Sequence, residues 1–415
     1  MRFFLFLIIL FFAVEAFSQD KTFAQAAKLF DDEQFEEAMP FLSQIIADGS
    51  SDSLGVAYFY RAMSHFSLDQ MDSVIADAEM AISLMDQKDE RLWHALHLKS
   101  LMLILEDKVM ESIALNDSIL SVRPNFSLAL FGRARRLQEM EAYTASLRDF
   151  DRLIEIEPDE LDYRFFRSIV YLKMDEDAKA LADMNLIIER DSTDAATYYN
   201  RSGIYRDQKK FELALSDLHR YAALRPDDYR GYRGMTNVLQ ELDRYEEALV
   251  WVDKWIATDT TENNRSKEIK GIIYLALFRF EDAVNVFETL SMEGFNGPTD
   301  YARFNNIGYA FIHVGKYEKA LSFLDMGLIQ YPEAPYLYNN RAYVYMKLNR
   351  LEEAETDLTK SIELDAANTY AIRNRALLHL ARKEKKKACK DYAKCLNMGH
   401  DQRDPELAVL EKNCQ

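Results

Sequence analysis

The chain has 415 residues, 48% of them hydrophobic, and carries 69 acidic against 51 basic side chains, a formal net charge of −18. Such an excess of carboxylates excludes a partner gripped through a phosphate backbone, because nucleic-acid affinity is built on clustered Lys and Arg. Only 13 Gly and 8 Pro occur, the usage of a helical chain, and the length suits two or three globular domains or one long repeat array.

The first element is a leader. Met1-Arg2 precede an apolar run from Phe3 to Val14, and Ala16-Phe17-Ser18 stand before Gln19-Asp20. A basic start, an apolar stretch and small residues at the −3 and −1 positions make a secretory signal peptide of residues 1–18. The run is shorter than the roughly 20 residues that cross a bilayer, and no cysteine follows it to take a lipid. The mature chain is therefore expected to be exported, periplasmic or secreted, with no membrane insertion.

After the leader, small residues recur in pairs 12 apart: Ala26 with Ala38, Ala62 with Val74, Ser100 with Ser112, Ala134 with Ser146, Ser168 with Ala180 and Ser202 with Ala214. The series goes on with Thr236 and Ala248, Gly271 and Ala283, Gly308 and Ala320, Ala342 and Ala354, Ala376 and Ala388. These pairs mark eleven units, near 19–54, 55–92, 93–126, 127–160, 161–194, 195–228, 229–263, 264–300, 301–334, 335–368 and 369–400. A period of 34 to 38 residues is that of a two-helix repeat, and a small residue on each helix lets the two backbones approach where they cross. Aromatic side chains such as Phe35, Tyr143, Tyr205, Phe211 and Tyr345 fill the space around the crossing. Pro124, Pro158, Pro226 and Pro332 each stand 12 residues after the second small position, where proline ends the second helix.

With Asn200-Arg201-Ser202 and Phe211-Glu212-Leu213-Ala214, and with Asn340-Arg341-Ala342 and Leu351-Glu352-Glu353-Ala354, the unit resembles the tetratricopeptide repeat. That resemblance covers about residues 19–400 and implies an all-α, right-handed superhelix of helix-turn-helix repeats that binds a protein or peptide. The third repeat departs most, with serine at both packing positions and Val109 in place of an aromatic. Pro40 is expected to kink the second helix of the first repeat. The stretch from Gly294 to Pro298 is expected to be a lengthened turn that breaks the pitch.

Comparison of the repeats with one another exposes a second regularity. Arg61, Arg133, Arg167, Arg201, Arg341 and Arg375 directly precede the first small residue, and only in those six units does Asp lie three residues after the second: Asp77, Asp149, Asp183, Asp217, Asp357 and Asp391. Arginine and aspartate that appear and vanish together predict an ion pair between helices, within a repeat or across the next packing layer.

All three cysteines, Cys389, Cys395 and Cys414, fall in the last 27 residues. Cys389 and Cys395 are six apart on one helix and point to different faces. Cys395 occupies an inward position, so Cys389 and Cys414 are expected to form a disulfide that ties a final helix, about 405–412 within a cap of residues 401–415, over the open end of the array. This ending also resembles those of exported repeat proteins of a Bacteroidetes-like type.

Catalytic motifs are absent from the sequence: no Gly-rich phosphate loop, dinucleotide fingerprint, HExxH or GxSxG occurs. His94 and His97 share a helix face but lack a third ligand, so no metal or other cofactor is expected. In the family, fixed positions of the first helix line the ligand groove. Carried over to this chain, they are Tyr199, Arg206, Arg230, Arg233, Asn237, Asn305, Tyr309, Asn339 and Tyr343. Earlier repeats are apolar on the same face, with Leu101, Ile104, Leu105, Phe165, Ile169 and Leu172. The expected function is a non-enzymatic scaffold that binds a protein segment in this groove. The alternatives are recruitment of a glycan or cell wall and service as an accessory subunit of an envelope export or assembly machine.

Overall fold

The computed structural model describes residues 21–49, 53–259, 264–290, 301–400 and 404–414. The leader and the 294–298 turn lie outside them. Among the described residues there are 23 α-helices and no strand. The chain forms two compact units, Met1–Thr197 and Tyr198–Gln415. Their boundary falls inside one helix, Ala195–Asp207, so nothing in the repeat pattern marks it.

In the first unit, five helix pairs follow one another. Their first helices are Lys21–Asp31, Leu54–Ser67, Glu90–Leu105, Ser127–Glu139 and Leu161–Lys173, and their second helices are Phe35–Asp48, Met71–Leu84, Val109–Val122, Tyr143–Ile156 and Asp177–Arg190. The second unit continues from the sixth repeat with second helix Phe211–Leu224, then the pairs Tyr229–Glu241 with Tyr245–Thr258, Arg265–Ala276 with Phe280–Phe287, Tyr301–His313 with Tyr317–Gln330, Pro335–Lys347 with Leu351–Leu364, and Thr369–Ala381 with Lys385–Asn397. A last helix, Pro405–Cys414, closes it.

The turn inside each pair is the same device eleven times. The residue seven places after the first small position takes a left-handed backbone with φ between 55° and 72°. The next amide donates back to the carbonyl five residues earlier, as in Gln70 to His65 and Arg350 to Tyr345. This satisfies carbonyls that the helix end would leave without a donor. Between repeats the prolines act through the residue before them. Arg123, Glu157, Arg225 and Tyr331 are held out of helical geometry, with ψ near 70°, because the proline ring clashes with a helical predecessor. Pro40 does not divide its helix, which runs unbroken from Phe35 to Asp48; it leaves the Glu36 carbonyl without its usual helical donor.

All 22 small positions are buried. Where the first is glycine, the partner helix supplies bulk: a Cβ at Gly271 would stand 2.2 Å from the Phe287 ring, and one at Gly308 would stand 2.7 Å from Leu324. The third repeat solves its crossing with polar groups. Ser100 and Ser112 share a hydrogen bond of 2.8 Å, and Asn116 donates to Ser100 at 2.9 Å. Serine in both packing positions is thus satisfied inside the core, as a buried hydroxyl must be.

Each of the six arginines meets its aspartate within its own repeat. Nε and Nη2 donate to the two carboxylate oxygens at 2.6–2.9 Å, the fork geometry that guanidinium and carboxylate share. Nη1 also reaches the preceding repeat: Arg61 donates to Ser43, Arg133 to Asp117, Arg167 to Asp151 and Arg341 to Asp325. Lys99 and Lys270 occupy the same position, but Leu115 and Val286 stand where the pairing Asp would be. They pair with Glu79 and Asp253 of the repeat before. The two registers, within and between repeats, had both been left open by sequence, and the structure uses both.

Candidate ligand-binding cavity

In the second unit the first helices of repeats nine, ten and eleven contact one another in order, and the last of them contacts the closing helix Pro405–Cys414. Local signals start these helices: Pro335 sits in the first turn of one, and Asn368 caps the next by accepting from the Ala371 amide. Asp404 caps the closing helix, accepting from the Glu406 amide at 3.0 Å. Between them lies a cavity of about 800 Å³.

Four of the nine expected groove residues line it: Asn305, Tyr309, Asn339 and Tyr343. The other five lie outside. Arg230 turns back on Asp228, donating from Nε and Nη2 at 2.5–3.0 Å, and holds that carboxyl well below the usual range. Arg206 bonds Asp207, Arg233 lies over the Tyr229 ring, and Tyr199 packs against Tyr221. Asn237 is half-buried on the same helix as Arg230 and Arg233.

Asparagines run through the cavity as a relay. Asn374 Nδ2 donates to Asn339 Oδ1 at 2.8 Å, Asn339 Nδ2 to Asn340 Oδ1 at 3.0 Å, and Asn340 Nδ2 to Asn305 Oδ1 at 2.8 Å. Asn374 is 1% exposed, yet its Oδ1 has no hydrogen-bond partner. Tyrosines supply the walls, with Tyr309, Tyr336 and Tyr370 each 36–47% exposed. His313 stacks on Phe280 at 4.1 Å and meets Tyr309 edge-on at 4.4 Å; desolvation against these rings lowers its pKa.

The closing helix reaches into this cavity with its first turn. Tyr343 donates its hydroxyl to Glu406 Oε1 at 2.8 Å, and the Lys347 ammonium stands 3.9 Å from the same oxygen. Asp404 faces Arg373 at 3.4 Å and bonds buried His400 at 2.8 Å. At its other end this helix is fastened by a disulfide between Cys389 and Cys414, while Cys395 is a buried thiol in the core under it.

Phe278 is a residue that sequence reasoning missed. It lies at the cavity edge, 76% exposed, in the left-handed turn position with φ of 58°. The other ten repeats place Glu, Asp, Lys, Asn or Gly there. A bulky side chain in that region is strained. The aligned turns could have singled it out, since it alone breaks their polar pattern. Arg373, Asn374, Asp404 and Glu406 were missed as well. Asn374 repeats the offset of Asn340 and was findable, whereas the two carboxylates belong to no repeat.

Residues 335–368 match the tetratricopeptide repeat family. No curated relative matches the chain. Among solved structures, it is similar to a tetratricopeptide repeat protein from Parabacteroides merdae, at 17% identity over 61% of this chain and 97% of that one, with a TM-score of 0.45. It is also similar to YrrB, described as having an unusual peptide-binding site, at 21% identity over 46% and 97% with a TM-score of 0.42. A third is Cut9–Hcn1, at 14% identity over 95% and 83% with a TM-score of 0.43. One repeat, residues 335–368, is thus matched by the tetratricopeptide repeat family, and the same small pair, left-handed turn and helix pairing recur in all eleven units of this all-α array.

Proposed function

We propose that the protein is an exported, non-enzymatic scaffold that binds a segment of another protein in the cavity between the first helices of repeats nine to eleven. The supporting observation is the relay of four amides flanked by half-exposed tyrosines. An amide side chain matches a peptide unit donor for acceptor, and tyrosine adds apolar contact area at small entropic cost. Export rests on the leader sequence and on the disulfide, which belongs to an oxidising compartment.

The test is affinity capture from the native envelope with residues 19–415, beside a Tyr309→Ala, Tyr336→Ala variant whose helicity is checked by circular dichroism. The wild type is expected to retain a discrete protein that the variant loses. Equal retention by both would move the contact away from this cavity. The half-exposed tyrosine rings also favour a second reading, stacking on the sugar rings of a cell-wall glycan; retention of oligosaccharide and of no protein would support it.

A further inference from the structure

The closing helix supplies charge to a cavity that would otherwise be cationic. Without its first turn, Lys347 and Arg373 would be the permanently charged side chains of the lining. With it, Glu406 faces Lys347 and Asp404 faces Arg373, two carboxylates against two cations. The Arg373–Asp404 pair is shielded, each side chain being 11% exposed, whereas Lys347 at 41% and Glu406 at 25% keep contact with solvent.

We propose that Glu406 and Asp404 set the specificity of this site, so that it accepts an uncharged peptide segment and rejects acidic ones. This rests on the peptide-binding reading above. A ligand carboxylate entering the cavity loses its hydration and finds each cation already facing a carboxylate, while a ligand ammonium finds each carboxylate already facing a cation. In either case the buried charge is left without a counter-ion, which costs far more than burying a neutral amide that the asparagine relay can bond. The unpartnered Asn374 Oδ1 is an acceptor for a neutral N–H. The chain's net charge of −18 adds a field that further opposes an acidic ligand. Selection here works by exclusion: the neutral ligand gains no ion pair, and the charged one meets an occupied site.

The site is specified by a segment that the repeats themselves do not encode. Tyr343 and Glu406 are 63 residues apart in sequence. The disulfide at the far end of the closing helix, between Cys389 and Cys414, fixes that helix to the last repeat and so fixes Glu406 over Lys347.

Asp404 is also the cap of its helix and a partner of His400, so the test is placed on Glu406 and Lys347. A phage-displayed random dodecapeptide library is panned against wild-type residues 19–415, Glu406→Gln and Lys347→Gln, with Tyr309→Ala as the cavity control and thermal melts to confirm folding. Wild type is expected to enrich peptides of zero net charge in their common core. Glu406→Gln frees Lys347 and shifts the enriched cores toward acidic residues, with acidic peptides gaining about tenfold in affinity. Lys347→Gln leaves Glu406 uncompensated and shifts them toward basic residues. Enrichment that Tyr309→Ala abolishes but that has the same charge in all three proteins overturns the inference and leaves the peptide reading standing. Acidic cores selected by the wild type overturn it in the same way. If no peptide is enriched, or enrichment survives Tyr309→Ala, the peptide reading of this cavity fails and the inference falls with it.

Discussion

The two units are built on one lattice and differ in what it presents. In the first, three bidentate pairs, Arg61–Asp77, Arg133–Asp149 and Arg167–Asp183, bind first helix to second. In the second, Arg201–Asp217, Arg341–Asp357 and Arg375–Asp391 do the same with the same atoms. The first-helix side chains around them diverge. In the first unit Leu101, Ile104, Phe165, Ile169 and Leu172 are half-buried, Arg135 lies 4.0 Å over the Phe166 ring, and His97 is almost wholly buried behind them. In the second, the equivalent helices carry tyrosine and asparagine around an open cavity. Residues that hold the lattice recur in both units, while the tyrosines and asparagines that line the cavity recur only over repeats nine to eleven.

The largest test of that shared lattice is to break it once in each unit. Asp149→Asn and Asp357→Asn each leave a partly buried guanidinium without its bidentate acceptor, and each is expected to cost about 2–3 kcal/mol. Hydrogen–deuterium exchange during chemical denaturation separates the units, and the loss should appear only in the unit that carries the substitution. A much larger loss in one unit would mean that its arginines do more there than join two helices.

An effect of comparable size distinguishes the units by pH. Burial lowers the pKa of His97 to about 3, and burial lowers that of His94 to about 4 against a smaller opposing pull from Glu90. Both are below the ordinary value of 6.5, so the unfolded chain takes up protons first as pH falls. The first unit is therefore most stable above about pH 6.5 and loses stability from there toward pH 3. At pH 5 the loss is on the order of 2 kcal/mol per buried histidine. The second unit has the exposed His313, its pKa also lowered by desolvation, and should respond less. Melting followed by exchange at pH 7 and pH 5 checks this. His97→Asn should flatten the slope of the first unit alone.

How much of this was legible in the sequence follows from the same distinction. The small pairs, the left-handed turns and the covarying Arg and Asp are each stated many times, so one chain supplies its own comparison set. The third repeat departs most from the pattern because serine stands at both packing positions; the hydrogen bond from Asn116 to Ser100 that accommodates it depends on a side chain outside the pattern. At the cavity, Asn305, Tyr309, Asn339 and Tyr343 were found because they stand at fixed offsets. Tyr199, Arg206 and Arg230 stand at such offsets too, but local partners claim them, Asp207 and Asp228 among them. Asp404 and Glu406 could not be read, since their place depends on packing that brings a non-repeat helix against Tyr343 and Arg373.

The smallest effect is the most discriminating, because stability and binding should move in opposite directions. Phe278 holds a left-handed turn that ten other repeats fill with polar residues or glycine, and it does so with 76% of its surface exposed and only an edge contact to Phe280 at 6.2 Å. Asparagine adopts that backbone more readily than phenylalanine, so Phe278→Asn should stabilise the second unit by up to about 1 kcal/mol. A ring kept at a stability cost at the edge of a cavity is best explained by contact with what enters it. The same substitution should then weaken retention of the cavity's ligand about tenfold, the loss of one well-buried aromatic contact. A melt and a binding titration on one variant decide the matter. Higher stability with unchanged binding would make Phe278 an incidental departure from the pattern, and lower stability would mean that its contact with Phe280 outweighs the strain of the turn.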